Sequence, residues 1–168
     1  LQAKDMGYTE PDPREDLSGR DVQRKLLILS RLSGLQLNLS DIKVSPLLPE
    51  NLLQGTLQDF WQNQPAIDEY MASTFAAAKE NGQKLAYLAS AKIFNKLVEA
   101  NVGLVSKPVH NAAVQLTPTD NVFTLTTEFY QENPLIIRGP GAGAIITATA
   151  VNIDINKFIT QLAVVAEK

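Results

Sequence analysis

The sequence predicts an α+β fold in which helices pack on one face of an antiparallel or mixed sheet. Apolar residues recur at helical spacing within residues 18–81, whereas apolar and polar residues alternate within residues 84–139. The last stretch, residues 142–167, returns to a helical pattern. Helices followed by a run of strands are typical of this class. We expect one domain over residues 1–168, which is an ordinary domain length.

The composition excludes several kinds of site and partner. The chain of 168 residues is 45% hydrophobic and 20% charged, as in ordinary soluble domains. Its net charge of -3 provides no broad positive surface for nucleic acid. Because there is no cysteine, disulfides and thiolate zinc sites are excluded. The single histidine, His110, is expected in a surface loop rather than in a metal site.

The sequence shows neither a membrane-spanning segment nor an export signal. No apolar run reaches the roughly 18 residues that a membrane-spanning helix needs. The first residues, LQAKDMGYTEPDP, have neither the order of a signal peptide nor an initiating methionine. We therefore expect a chain that begins inside a larger protein and that has no membrane partner.

The first elements follow from apolar spacing. Val22, Leu26 and Leu29 stand at i, i+4 and i+7, which predicts a helix over residues 18–34. A weak alternation then predicts a short strand within residues 37–48.

A proline divides the next helical stretch. Pro65 cannot donate an intrahelical hydrogen bond, so we expect one helix over 56–63 and a second over 65–81. Alternating segments beyond it predict four strands, over 84–92, 96–104, 121–130 and 134–139. The final helix, 142–167, is expected in one or two pieces because β-branched residues weaken its pattern.

The chemically most suggestive segment is 7–25, GYTEPDPREDLSGRDVQRK. Its prolines, glycines and acidic residues predict a stiff loop before the first helix. Asp21 and Lys25 stand four residues apart on one helix face, and the loop can bring Glu10 and Asp16 toward that face. An ammonium group held by carboxylates can hydrogen-bond a developing alkoxide, while a carboxylate can bind a substrate ammonium.

A plainer interpretation of the same residues stays open. An isolated Asp–Lys pair at this spacing is usually a solvated ion pair that stabilises a helix by about 0.3–0.5 kcal/mol. Ser18 is expected as the N-cap of the first helix, with Asp21 as its capping-box partner.

A carboxylate metal site is a further alternative. Its ligands would be Glu10, Asp12, Glu15 and Asp16. The prolines interleaved among them give no recognised ligand spacing, so we expect no metal there.

Residues 139–143, GPGAG, form a second candidate site. Glycines allow a ligand to approach the backbone closely, and the N-terminus of the helix that follows favours negative charge. The motif lacks the spacing of a dinucleotide or phosphate fingerprint. A plain turn between strand and helix is therefore the favoured interpretation from the pattern alone.

The segment 7–25 also resembles the signature of homoserine dehydrogenases. Its G-Y-T-E-P-D-P-R opening, followed by D-L-S-G-x-D-V-x-R-K, is most similar to the bifunctional aspartokinase–homoserine dehydrogenases. The similarity continues through KLLIL at 25–29, TDNV at 119–122 and IIRGPGAG at 136–143. It extends over most of the chain and is weakest within residues 50–110.

The resemblance implies an NAD(P)-dependent oxidoreductase of threonine and methionine biosynthesis that interconverts L-aspartate 4-semialdehyde and L-homoserine. It implies that Lys25 donates a proton to the aldehyde oxygen, that Asp21 orients the substrate and that Glu10 contacts the substrate amino group. Further substrate contacts implied by the motif are Asp16, Tyr8 and Thr9. The implied cofactor contacts are Gly141, Ala142 and Gly143, the last beside the nicotinamide.

The same resemblance implies how the chain is organised. The fold would be a substrate domain like the C-terminal domain of glyceraldehyde-3-phosphate dehydrogenase, and its sheet would pair two subunits of a cytoplasmic homodimer. The final helix would pack on an upstream nucleotide-binding domain, which would bind most of the NAD(P); this chain has no dinucleotide fingerprint and is expected to be inactive alone. The alternative is a noncatalytic binding or assembly module, against which the intact Glu10, Asp21 and Lys25 argue.

Overall fold

The chain folds into two compact units whose boundary lies between Val109 and His110. The computed structural model describes residues 10–95, 97–117, 119–141 and 143–166. Apart from two short helices that the sequence does not predict, helices and strands follow the predicted order, and the α+β fold class is confirmed.

Five helices lie among the described residues of the first unit. They are α1 (Pro13–Leu17), α2 (Arg20–Leu32), α3 (Glu50–Leu53), α4 (Leu57–Gln62) and α5 (Gln64–Glu80). The helix expected over 18–34 is confirmed as α2. The division expected at Pro65 is confirmed as well, because α4 ends at Gln62 and α5 has a proline in its first turn.

Helix α1 replaces part of the predicted stiff loop, so that prediction is wrong for its residues. Asp12 is the N-cap, and its side chain accepts a hydrogen bond from the Arg14 N–H. Pro13 occupies the first helical position, where its missing N–H costs nothing. Local capping chemistry therefore starts a short helix inside a segment whose prolines suggested a loop.

The predicted capping role of Ser18 is also wrong. Gly19 is the N-cap of α2, with a left-handed φ of 77°, and the N-cap residue makes no side-chain hydrogen bond to the helix. The Ser18 hydroxyl donates to the Glu15 carbonyl at 2.6 Å, at the end of α1, and accepts from the Arg20 N–H at 3.3 Å. Asp21 is thus no capping-box partner, and its carboxylate is available to Lys25.

The described strands of the first unit form a three-stranded mixed sheet. Its strands are β1 (Ile42–Val44), β2 (Gln83–Phe94) and β3 (Leu97–Pro108), in the order β1-β3-β2. β2 and β3 form an antiparallel hairpin, whereas β1 runs parallel to β3 with Ile42 opposite Ala100. The strands expected over 84–92 and 96–104 are confirmed and are longer than expected, and the strand expected within 37–48 is the three-residue β1.

Helix α2 packs on one face of this sheet and forms the core with it. Leu26 faces Ala100 and Val102, which lie two residues apart on β3 and therefore on the same face of the sheet. Leu37 and Ile42 complete the buried cluster. The i, i+4 spacing of the predicted helix is what directs Leu26 inward.

The second unit holds a two-stranded antiparallel sheet and one long helix. The strands are β4 (Asp120–Leu125) and β5 (Leu135–Pro140), and the helix is α6 (Ala144–Ala166). The described strands therefore form two sheets. The strand expected over 121–130 is wrong beyond residue 125, because the chain turns where Tyr130 N–H donates to the Thr127 carbonyl at 3.1 Å.

Helix α6 is continuous within residues 144–166, so the final helix is one piece rather than two. The Thr147 hydroxyl donates to the Gly143 carbonyl at 3.1 Å, and the Thr149 hydroxyl donates to the Ile145 carbonyl at 2.8 Å. Bonds of this kind satisfy a threonine hydroxyl inside a helix without interrupting it. The β-branched residues thus lower the helical preference without breaking the helix.

Candidate functional site

The first two turns of α2 present an acid and an amine that contact each other. Lys25 Nζ lies 2.8 Å from Asp21 Oδ2, and the two side chains are 58% and 66% exposed. The i, i+4 spacing predicted this pair, and the pairing is confirmed. A lysine ammonium has three N–H donors, so the contact with Asp21 orients the group and leaves other donors for a ligand.

A second pair of acids lies immediately upstream of α2. The Glu10 backbone N–H donates to Asp16 Oδ2 at 3.0 Å, and both residues are exposed. Within the part of the chain that the structure describes, no hydrogen bond or ion pair engages the Glu10 carboxylate. No described residue therefore competes with a cationic ligand for that carboxylate.

Asp16 lies on α1 with Glu10 just before that helix, whereas Asp21 and Lys25 lie on α2. Only Ser18 and Gly19 separate α1 from α2, and Arg20 Nη2 lies 2.9 Å from Glu15 Oε1 across that junction. No hydrogen bond or ion pair between described residues joins the Glu10–Asp16 pair directly to the Asp21–Lys25 pair. The other two predicted substrate contacts, Tyr8 and Thr9, lie outside the described residues.

The start of α2 is set against the sheet by a close approach that the sequence did not reveal. A Cβ atom on Gly19 would overlap the Tyr87 hydroxyl and would lie 3.1 Å from Val44 Cγ1. The Tyr87 hydroxyl donates to the Ser45 carbonyl at 2.7 Å, and burial raises the pKa of the phenol. Glycine is thus required at position 19 both for its backbone angle and for space.

Arg14 is a second residue whose role sequence reasoning missed. Its guanidinium contacts the Asp12 carboxylate and also donates to the Gly55 carbonyl at 2.7 Å. The hydrogen bond from Arg14 holds the pKa of Asp12 below its ordinary value. No sequence signal could have found the link, because its distant partner is a backbone carbonyl.

The glycine-rich segment between β5 and α6 offers one open backbone position. Gly143 has a φ of 115° and no atom within 4 Å of the place where a Cβ would lie. At Gly141, by contrast, a Cβ would overlap the Asn121 amide, and the Gly141 N–H already donates to the Thr119 carbonyl at 2.8 Å. Close packing accounts for Gly141, and the positive φ accounts for glycine at position 143. Ala142 lies outside the described residues.

The remaining candidates are accounted for within the fold. Asp12 is bound by Arg14 and Glu15 by Arg20, and the described residues hold no group of three or more Asp, Glu or His side chains able to bind a metal. His110 is exposed, as expected. No helix within the described residues is long and apolar enough to cross a bilayer.

The comparisons with known proteins agree on one family. The family profile described as homoserine dehydrogenase matches residues 1–155. The bifunctional aspartokinase/homoserine dehydrogenase 2 of Escherichia coli is 41% identical over 161 residues, which are 96% of this chain and 20% of that protein. The homoserine dehydrogenase of Paracoccidioides brasiliensis is 39% identical over 163 residues, 96% of this chain and 43% of that protein. The chain thus spans less than half the length of these relatives.

Solved structures agree on the fold. A Candida auris protein of unknown function is 34% identical with a TM-score of 0.82, over 92% of this chain and 43% of that one. The homoserine dehydrogenase of Thiobacillus denitrificans has a TM-score of 0.69 at 24% identity, over 92% of this chain and 31% of that one. The second likeness concerns the fold alone.

Proposed function

The chain belongs to the homoserine dehydrogenase family, and we propose that it forms the substrate-binding part of an enzyme that interconverts L-aspartate 4-semialdehyde and L-homoserine with NAD(P). The main structural observation is the Lys25 ammonium, held 2.8 Å from the Asp21 carboxylate while more than half of its side chain is exposed. A cation that is oriented and accessible in this way suits stabilisation of a developing alkoxide.

Lys25 and Asp21 would act at the carbonyl end of the substrate. Lys25 donates a hydrogen bond and then a proton to the aldehyde oxygen, and in the opposite direction it receives the hydroxyl proton of homoserine. Asp21 keeps the Lys25 ammonium in place and orients the substrate. When bound, NAD(P)H supplies the hydride. Preorganisation of the amine means that little reorientation is needed as charge develops.

Glu10 and Asp16 would act at the amino-acid end of the substrate. The Glu10 carboxylate binds the substrate ammonium, and Asp16 fixes the Glu10 backbone through the 3.0 Å hydrogen bond. Tyr8 and Thr9, which precede Glu10, complete this contact surface in the proposal. The two carboxylates are complementary in charge to the ammonium group of the substrate. An aldehyde without an ammonium group would not need them.

The cofactor would be bound mainly outside this chain. The open backbone face at Gly143 fits a nicotinamide neighbour, with Gly141 and Ala142 beside it. An upstream nucleotide-binding domain would hold the rest of NAD(P) and would cover α6, whose Ile145 and Phe158 side chains are 81% and 61% exposed. Both units would then belong to one substrate-binding and dimerisation domain, residues 1–168.

The cellular setting is part of the same proposal. The reaction would serve threonine and methionine biosynthesis in the cytoplasm, in a homodimer that uses NAD or NADP. The relatives that combine aspartokinase with homoserine dehydrogenase support an aspartokinase domain in the parent protein.

The decisive experiment assays the intact natural protein for homoserine-dependent reduction of NAD⁺ and NADP⁺. We expect Lys25→Ala to lower kcat by about 100-fold or more, as loss of a general acid usually does. The matched control is Lys84→Ala, which removes an exposed lysine from β2 and should leave kcat unchanged. An unchanged kcat in Lys25→Ala would contradict the proton-donor role. Absence of any activity in the intact wild-type protein would favour the noncatalytic module.

A further inference from the structure

The guanidinium of Arg14 is bound on one side by the Asp12 carboxylate through two parallel hydrogen bonds. Arg14 Nε lies 2.9 Å from Asp12 Oδ1, and Nη2 lies 2.6 Å from Oδ2. The two side chains are 22% and 35% exposed, so the pair is partly shielded from water. A geometry of this kind gives an ion pair more direction and strength than a solvated one has.

The other side of the same guanidinium reaches a distant part of the chain. Arg14 Nη1 donates to the Gly55 carbonyl at 2.7 Å and to the Leu53 carbonyl at 3.3 Å. Both carbonyls lie at the end of α3 and just beyond it. Arg14 thereby links α1 to the connection between α3 and α4, and nearly all its N–H donors are used within the protein.

The opposite end of α1 is fixed as well. Leu47 N–H donates to the Leu17 carbonyl at 3.0 Å, and Ser45 N–H donates to the Val102 carbonyl of β3 at 2.8 Å. Helix α1 is therefore held near its N-terminus by Arg14 and at its C-terminus by the irregular segment that follows β1 and that bonds β3 through Ser45. Glu10 is attached to this helix through the Asp16 carboxylate.

From these contacts we propose that Arg14 is a positioning residue, which holds α1 where the Glu10 carboxylate can meet the ammonium of the amino-acid substrate. The inference rests on the function proposed above and adds to it. Four of the five N–H donors of the Arg14 guanidinium are bound within the protein, to Asp12, Leu53 and Gly55, which leaves Arg14 a positioning role rather than a substrate contact. Its effect passes through Glu10, and so it concerns substrate binding rather than proton transfer at Lys25.

The first test is Arg14→Lys in the intact protein, with homoserine oxidation measured over a range of homoserine concentrations. A lysine keeps the charge but cannot bridge Asp12 and Gly55 together. We expect KM for homoserine to rise about tenfold while kcat stays within about twofold, the pattern of lost ground-state binding. A lower kcat with unchanged KM would overturn the inference.

Arg20→Lys is the matched control. Arg20 also pairs with an acid of α1, Glu15, but both side chains are more than half exposed and the link is local. We expect KM within about twofold of wild type, because solvated pairs of this kind contribute little. An equal rise in both variants would show a general effect of charge geometry and would overturn the assignment to Arg14.

A double-mutant cycle separates positioning from general structural damage. If Arg14 acts through Glu10, then Arg14→Lys adds nothing to KM once Glu10→Gln is present. Multiplicative effects of the two changes would overturn the inference. Should Arg14→Lys fail to fold, Asp12→Asn replaces it in the cycle, since asparagine can still cap α1 but does not pair with the guanidinium as an anion.

The outcomes distinguish this inference from the proposed function. Wild-type protein without homoserine oxidation overturns the proposed function and the inference together, whereas full activity in Lys25→Ala overturns only the proton-donor role of Lys25. Active wild-type protein, a defective Lys25→Ala and an unchanged KM in both Arg14→Lys and Asp12→Asn overturn the role of Arg14 alone.

Discussion

Gly19 joins α1 to α2 with a backbone angle that side chains rarely adopt, directly beside the Tyr87 hydroxyl. We expect Gly19→Ala to lower the free energy of unfolding by about 2–5 kcal/mol. Left-handed backbone costs a residue with a Cβ roughly 1–2 kcal/mol, and overlap with a packed side chain adds roughly 1–3 kcal/mol. Urea unfolding of the wild type and the variant measures the difference.

Gly34 provides the matched control for this prediction. Its φ of 86° is similar, but no atom lies within 4 Å of its Cβ position. Gly34→Ala should therefore show only the backbone cost, about 1–2 kcal/mol. Equal losses in the two variants would contradict the packing of Tyr87 against Gly19.

For individual residues, the sequence predicted contacts between residues close together in the chain and missed contacts between distant segments. Asp21 and Lys25 lie one helical turn apart, so their spacing alone predicts the ion pair. The partners of Arg14, at Leu53 and Gly55, are backbone carbonyls 39 and 41 residues away. Every residue has such a carbonyl, so no side-chain pattern in the sequence marks the contact.

Among the elements, the β4–β5 pair is joined by an ion pair next to a turn. Arg138 Nη2 lies 2.7 Å from Asp120 Oδ2, and Val122 faces Arg138 across the sheet. Hydrogen bonding by the Thr117 side chain, followed by that of Arg138, lowers the pKa of Asp120 below the ordinary 3.8. Ionised Asp120 therefore favours the folded hairpin.

This shift predicts a pH dependence of the hairpin. Because the folded pKa is lowered, the stabilisation is fully present above the unfolded pKa of 3.8 and is lost as pH falls through the folded value. We expect Asp120→Asn to speed hydrogen exchange of β4 and β5 amides at neutral pH, and the difference from wild type to shrink under acid.

Asp154→Asn is the control for that experiment. Asp154 lies 3.7 Å from Lys157 on α6, and its side chain is 79% exposed. Its removal should leave exchange in β4 and β5 unchanged at every pH. A difference between wild type and Asp120→Asn that stays constant into acid would contradict the role of the ionised carboxylate.

Strong local periodicity accounts for the elements that the sequence predicted well. α2 and α5 follow helical spacing, and β2 and β3 follow alternation. α1 was missed because one cap and one proline decide it, and the parallel pairing of β1 depends on a strand more than 50 residues away. Pairing between distant segments leaves little trace in a local pattern.

For the whole molecule, we expect the intact protein to be a dimer that uses the sheet of the first unit. α2 packs on one face of this sheet, and on the other face alternate residues such as Ser90, Lys92 and Glu99 are exposed. Light scattering of the intact protein should give the mass of two chains. A purely monomeric profile would contradict the expectation.

A substitution on that face tests which surface forms the dimer. Ser90→Arg places a large cation in the middle of β2 and should raise the fraction of monomer. Ser73→Arg, on the exposed surface of α5, is the control and should leave the mass unchanged. Equal behaviour of the two variants would assign the interface to another surface.

The parallel pairing of β1 with β3 has a consequence for biosynthesis on the ribosome. Leu26 and Ile42 are synthesised well before Ala100 and Val102 have been translated. Until then, the two earlier residues lack the apolar residues of β3 that they pack against in the folded protein. At roughly 5–20 residues per second, the delay between Ile42 and Ala100 is about 3–12 seconds. During that interval the segment with Glu10 and Lys25 has no finished sheet to pack against. An elongation pause before residue 102 would prolong its exposure to chaperones and proteases.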